Sequence, residues 1–186
     1  MTYIWQIQDS YPGSCIGSYD RETGPDRFLL KNACDLSAEA KPWRFAFQCT
    51  VQRLRKFDDL VNNAMVPLVS SRLADLVSSV AGSDIQLLPT EIHARDGDVQ
   101  DYCLLNALFR VPAIDRSRSE FWTIPGGQEI MGFHRLVLMD ECLNEHHIAR
   151  CAEYASYLLV SDSLASVLME AKMTGFKLTQ PCDMPL

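Results

Sequence analysis

One stretch of the chain is written twice. VPLVSSRLADLVSSVAGSDIQLLP, residues 66–89, aligns with YLLVSDSLASVLMEAKMTGFKLTQP, residues 157–181. Val69-Ser70 matches Val160-Ser161, Leu73-Ala74 matches Leu164-Ala165, and Gly82 stands near the place of Gly175. Both copies carry one physical grammar. A short apolar strand stops at a serine whose hydroxyl can accept from an orphan N–H in the first turn of a helix. Leu73, Leu76, Val77 and Val80 then share one helical face, as do Leu164, Val167, Leu168 and Ala171. The glycine is expected in the left-handed conformation that ends a helix, and a short strand closing at proline follows. The repetition constrains architecture rather than chemistry. It arises either by duplication or because the unit is common.

The remaining segments read mostly as strands. TYIWQIQ opens the chain as one, and SYPGSCIGSYDRETGPDR is turn and loop. Trp43, Phe45 and Phe47 recur at period two in PWRFAFQCTVQR, the pattern of a half-buried strand, and RLRKFDDLVNNA suggests one helical turn. DIQLLPTEIHA and VQDYCLLNALFRV flank ARDGDV, whose Asp-Gly predicts a hairpin. A Gly-Gly turn leads towards FHRLVLMD, a further strand, while ECLNEHHIARCAEYASYLL fits either a helix or two short strands. The expectation is an α+β fold, mostly antiparallel sheet, with two strand-Ser-helix-Gly-strand units. It is expected to form one domain over residues 1–186, with 1–60 as a smaller N-terminal lobe.

Composition narrows the function classes. With 24 acidic against 17 basic side chains the formal charge is -7, which argues against direct nucleic-acid binding and towards a basic protein partner. Seven scattered cysteines and an N-terminus without a basic-then-apolar pattern point to a reduced, cytoplasmic protein. No apolar run is long enough to span a membrane.

Cys142, His146, His147 and Cys151 are the densest set of soft ligands. On a helix the adjacent histidines would point about 100° apart, so the two i,i+4 pairs would not converge on one tetrahedral metal. A metal- or thiol-dependent enzyme built on these four is the alternative reading. No nucleophile signature, phosphate loop or complete calcium loop is present, so no catalytic residue, metal or cofactor is expected. Asp96, Asp98 and Asp101 around a hairpin tip, with Asp140, Glu141 and Glu145, could instead complement a basic protein surface, and Trp122 offers an aromatic anchor.

The order of motifs resembles the immunity-protein family of bacterial polymorphic toxin systems, typified by a myxobacterial immunity protein and first catalogued as a domain of unknown function. The resemblance rests on Val69-Ser70, Leu104-Leu105-Asn106, Ile114-Asp115 with Ser117 and Ser119, and Val160-Ser161 with Thr174-Gly175. It covers roughly the C-terminal two thirds and the opening strand. Around IARCAEYASYLL the chain departs from the family pattern, in which an aromatic residue follows the isoleucine and a tryptophan comes later. The resemblance implies a non-enzymatic cytoplasmic protein that binds and blocks a cognate secreted effector toxin; the acidic charge balance adds the expectation that this toxin is a nuclease with a basic phosphate-binding surface. It assigns no toxin contact to any position. A stand-alone interaction module is the other non-enzymatic reading.

Overall fold

The computed structural model describes residues 1–127 and 129–181; Cys182 lies outside the described residues. In chain order the strands are β1 (Thr2–Ile7), β2 (Ser18–Tyr19), β3 (Trp43–Ala46), β4 (Leu68–Ser70), β5 (Ile85–Ala94), β6 (Gly97–Val99), β7 (Tyr102–Ala107), β8 (Arg110–Val111), β9 (Glu120–Thr123), β10 (Ile130–Arg135), β11 (Ile148–Cys151), β12 (Leu158–Ser161) and β13 (Phe176–Thr179). The helices are α1 (Val51–Leu54), α2 (Ser71–Ala81) and α3 (Asp162–Glu170). One sheet runs β13-β1-β12-β11-β8, a second runs β2-β3-β5-β7-β4 with β6 on β5, and β9 and β10 form a separate hairpin. Among the strand pairings of the described residues only β3–β5 and β8–β11 are parallel. This is the expected α+β, mostly antiparallel architecture.

Each echoed segment folds as the sequence predicts at its start. The Ser70 hydroxyl accepts from the Leu73 N–H at 3.2 Å and the Ser161 hydroxyl from the Leu164 N–H at 3.3 Å, so both helices begin on a serine cap. Leu73 and Val77 of α2 and Leu164 and Leu168 of α3 are buried in one cluster with Val69, Leu105, Val160 and Phe176, side chains drawn from both sheets. The helices therefore fill the space between the sheets with the faces read from their periodicity.

The ends of the two units differ from expectation. Gly82 has φ -57 and enters a 3-10 turn over Gly82–Asp84, so it is not the left-handed residue; Gly175, with φ +96, is. Nor does Pro89 close the first unit's strand. β5 continues to Ala94, pairing with β7 at Pro89 and with β3 only from Thr90, so the proline sits where β5 has one neighbour and its missing N–H costs no ladder bond. The helical turn falls at Val51–Leu54, and the ambiguous IARC and YLLV segments are the strands β11 and β12.

Two adjacent aspartates tie the units together. The Asp58 carboxylate accepts from the Thr174 N–H at 2.9 Å and from the Ser70 hydroxyl at 3.1 Å. Asp59 accepts from the Trp5 indole N–H at 2.9 Å and from the Leu68 N–H at 3.0 Å. Trp5 also stacks on Phe176, centroids 4.0 Å apart. The start of the first unit and the end of the second are thus fastened to the loop before β4 and to β1. Two further clusters complete the core: one around Trp43, Phe45 and Phe47 beneath β3 and β5, and one around Ile4, Val111, Cys142 and Leu159 at the β8 end of the first sheet.

Candidate interaction surface

The acidic tip is exposed, but its three aspartates are partly committed. Arg95 and Asp96 form the two-residue turn between β5 and β6, and the Asp96 carboxylate accepts from the Val51 N–H at 2.8 Å, capping α1 where Thr50 makes no side-chain cap. Asp98 pairs with His93 at 2.7 Å across the β5–β6 ladder. Asp101 adopts φ +70, and its carbonyl accepts from both the N–H and the hydroxyl of Ser71 at the start of α2. All three aspartates remain exposed to solvent.

Trp122 stands on the β9–β10 hairpin, whose alternation sorts its two faces. Phe121 and Phe133 turn inward onto the third cluster, whereas Trp122 pairs with Gly132 in the register and remains 46% exposed. Its indole packs against the glycine; a Cβ on Gly132 would come within 2.2 Å of the ring. His134 packs beside it at 4.8 Å between centroids, and Ile124 and Met131 are also exposed on the hairpin. A fixed aromatic ring with apolar neighbours and a polar edge is the composition of an interface anchor.

Asp140, Glu141 and Glu145 lie on the turn before β11. Cys142 and Leu143 point into the core, which leaves Glu141 and Glu145 outward. Tight left-handed residues at Glu141 (φ +52) and Asn144 (φ +50) fix that alternation. Glu141, Glu145 and Asp162 line a cleft of about 690 Å³ shared with His146, His147 and Ser163.

The alternative enzyme constellation does not assemble. His146 pairs with the buried Asp84 at 2.9 Å and stacks on Phe109; His147 contacts the hydroxyls of Ser161 and Ser163 at 3.1 and 3.0 Å. Cys142 meets Thr2, and Cys151 donates to Glu153. The helix assumed in posing that geometry is absent, since residues 140–145 are turn and 148–151 strand. Burial pushes the Cys151 thiol up to about 12 and the Cys142 thiol upward, which keeps both protonated and weakly nucleophilic. Among the described residues no three His, Cys, Asp or Glu side chains come together to hold a metal ion.

Four structural residues escaped the sequence reading. Asp58 and Asp59 look like solvated charge in KFDDLV but are buried. Asp84 also accepts from the His147 N–H at 2.6 Å, and Arg150, in the apolar run of β11, is 1% exposed. Only the apolar residues flanking each of them signalled burial. Among the described residues no helix is long and apolar enough to cross a membrane.

Comparison with curated proteins finds no match. The sequence model of an immunity protein family (Imm11) matches residues 16–182, spanning both echoed units, the acidic tip and the Trp122 hairpin. With nine tenths of its length covered by that match, the chain belongs to the immunity protein family Imm11.

Proposed function

We propose that this immunity protein acts by binding a cognate secreted effector toxin in the cytoplasm and occluding it, without catalysis of its own. The observation that carries the reading is the family match over residues 16–182. The exposed, glycine-seated Trp122 and the acidic groups Asp96, Asp98, Asp101, Asp140, Glu141 and Glu145 are the proposed contacts. The toxin is proposed to be a nuclease of a polymorphic toxin system. Its phosphate-binding face would be basic, and an antidote of charge -7 would be drawn to it. A stable complex would bury about 1,600 Å² in total, with the aromatic group at the centre and charge at the rim.

The test is co-expression with the toxin gene encoded beside it, followed by co-purification. Survival of the host and a stoichiometric complex are expected, with association slowing as salt is raised. A toxin that still kills and is not retained would overturn the reading. A complex with a toxin that does not act on nucleic acid would overturn the nuclease assignment alone.

A further inference from the structure

Two cations without counter-charges share one short turn of this acidic chain. Arg27 and Lys31 begin and end the 3-10 turn Arg27–Lys31, remain partly exposed, and make no ion pair among the described residues. Arg27 donates to the Asn63 carbonyl at 3.0 Å and Lys31 to the Ser156 hydroxyl at 3.2 Å, so both are held by neutral acceptors. Asp26, the acid that opens the turn, accepts from the Phe28 N–H at 3.0 Å. Burial, and then the charges of Arg150 and Arg27, hold the Lys31 ammonium below its usual pKa. Arg150 thus adds its field to the spot, although it is itself closed off from solvent.

The same turn displays apolar surface. Phe28 is more than half exposed, with the Arg27 guanidinium 4.9 Å and the Lys31 ammonium 5.9 Å from its ring centre. Ser156, the partner of Lys31, lines a cleft of about 440 Å³ whose walls include Trp5, Val66, Tyr157 and Leu158. Ile7 and Met65 line it too, and each is more than half exposed. Met65 is held there against its backbone preference, at φ +55. Its N–H bonds the Asn62 carbonyl at 3.1 Å, and the buried Asn62 side chain donates to the Leu60 and Val66 carbonyls and accepts from the Ala64 N–H. A large apolar side chain locked into water at a strained position, beside an apolar cleft, marks a contact surface.

We propose that this surface docks an acidic, apolar segment of a partner protein. A large apolar side chain of the segment enters the cleft past Met65, and its carboxylates meet Arg27 and Lys31. Charge selects this occupant: unpaired cations flanking exposed apolar groups complement acid, and they oppose self-pairing of the same face about a two-fold axis. Lys177, the other cation of the cleft, is already paired with Asp9 and takes no part.

The test titrates the isotope-labelled whole protein with a blocked peptide of leucine and phenylalanine flanked by glutamates, and with the same peptide carrying glutamine for glutamate. The acidic peptide should shift the backbone amide resonances of Ile7, Phe28, Lys31 and Met65. It should bind at least about tenfold more tightly than the glutamine peptide, the loss expected for a charge-assisted hydrogen bond, with the gap closing as salt is raised. Arg27→Gln combined with Lys31→Gln should bind both peptides equally. Met65→Gly should keep the parent's urea midpoint, because glycine takes φ +55 without strain, and should weaken both peptides alike. Equal affinity of the parent for the two peptides, or shifts that miss these four amides, overturns the proposal, and neither arm needs a variant to fold. Phosphatidylserine vesicles that retain the protein, while the acidic peptide leaves those amides in place, overturn it in favour of a membrane surface. Dimerisation that shifts the same amides without peptide overturns it in favour of a second copy. None of these arms involves the toxin.

Discussion

Gly82 and Gly175 occupy similar places in the echo, yet alanine should act on them in opposite directions. At Gly175 the backbone has φ +96, and an added Cβ would lie 2.1 Å from the Asp59 carbonyl oxygen and 2.9 Å from its nitrogen. A non-glycine residue held in such a region costs of order 1–3 kcal/mol. The overlap is with backbone, so relief requires moving the Asp59 peptide, whose side chain holds the Trp5 indole and the Leu68 N–H. At a pH above about 7, where Asp59 is ionised, hydrogen bonds to a charged group contribute about 1.5–3 kcal/mol each. Losing both, together with the strain, amounts to about 4–9 kcal/mol, comparable with the 5–15 kcal/mol typical of a whole domain. Gly82 has φ -57 and no heavy atom within 4 Å of the added Cβ, so alanine there should stabilise by about 0.4–1 kcal/mol through the unfolded chain. Urea unfolding followed by tryptophan fluorescence measures both, since Trp5 reports the strap directly. Gly175→Ala within about 1 kcal/mol of the parent, or equal losses at both positions, would refute the proposed roles of these glycines.

The two serine caps should each be worth about 1 kcal/mol, or about 2–4 °C in Tm for a chain of this size. Ser70→Ala should cost more than Ser161→Ala, because the Ser70 hydroxyl also donates to the buried Asp58 carboxylate, whereas the further partners of the Ser161 hydroxyl, His147 and Ser163, are neutral or solvent-accessible groups. Burial pushes Asp59 up to about 7 from 3.8, against the opposing hydrogen bonds from Trp5 and Leu68. The folded state therefore holds a proton that the unfolded state releases between about pH 4 and 7, and this contribution is lost as pH rises through that window. At about 1.4 kcal/mol per pKa unit it is at most about 4 kcal/mol; urea midpoints across the window should fall with rising pH in the parent and less steeply in Asp59→Asn. Trp122→Ala should weaken toxin binding by at least 2 kcal/mol if it is an anchor, with Tm nearly unchanged because the ring is half exposed. Gly132→Ala, which displaces the same ring, should copy that loss in a calorimetric titration, whereas an unaltered affinity in both variants would remove Trp122 from the interface.

What could be read from sequence was what local rules determine. Serine caps, apolar helix faces and the Asp-Gly hairpin each depend on residues within one or two turns of one another, and all three stand in the fold. Long-range partners supply the rest. Gly82 does not end α2 in the left-handed region because the chain continues into a 3-10 turn that carries Asp84 towards His146 and His147, more than sixty residues away. Asp58 and Asp59 carry no periodic signal, and their burial follows from Thr174 and Trp5, which only the fold brings near. The acidic contacts were visible as charge, but not that Asp96 caps α1 or that Asp98 is held by His93.

The residues that carry the family resemblance share one property: their side chains serve the scaffold. Ser70 and Ser161 cap helices, and Asn106 donates to the Cys34 carbonyl at 2.8 Å from a fully buried position. Asp115 accepts from Ser117 and Arg118, while Ser119 bridges both backbone groups of Val137. Thr174 and Gly175 receive the Asp58-Asp59 strap. None of these side chains is spent on the exposed face of the β9–β10 hairpin or on the outward carboxylates of the turn before β11. A scaffold held together in this way tolerates surface exchange, because the groups replaced there satisfy no buried partner. The hairpin face should therefore be exchangeable: replacing Glu120, Trp122, Ile124, Met131 and His134 together, with Phe121, Gly132 and Phe133 kept, should leave the urea midpoint within the error of its measurement while changing which toxin is bound. A large fall in that midpoint would mean that the exposed face is part of the scaffold, and that partner choice is not carried by the hairpin.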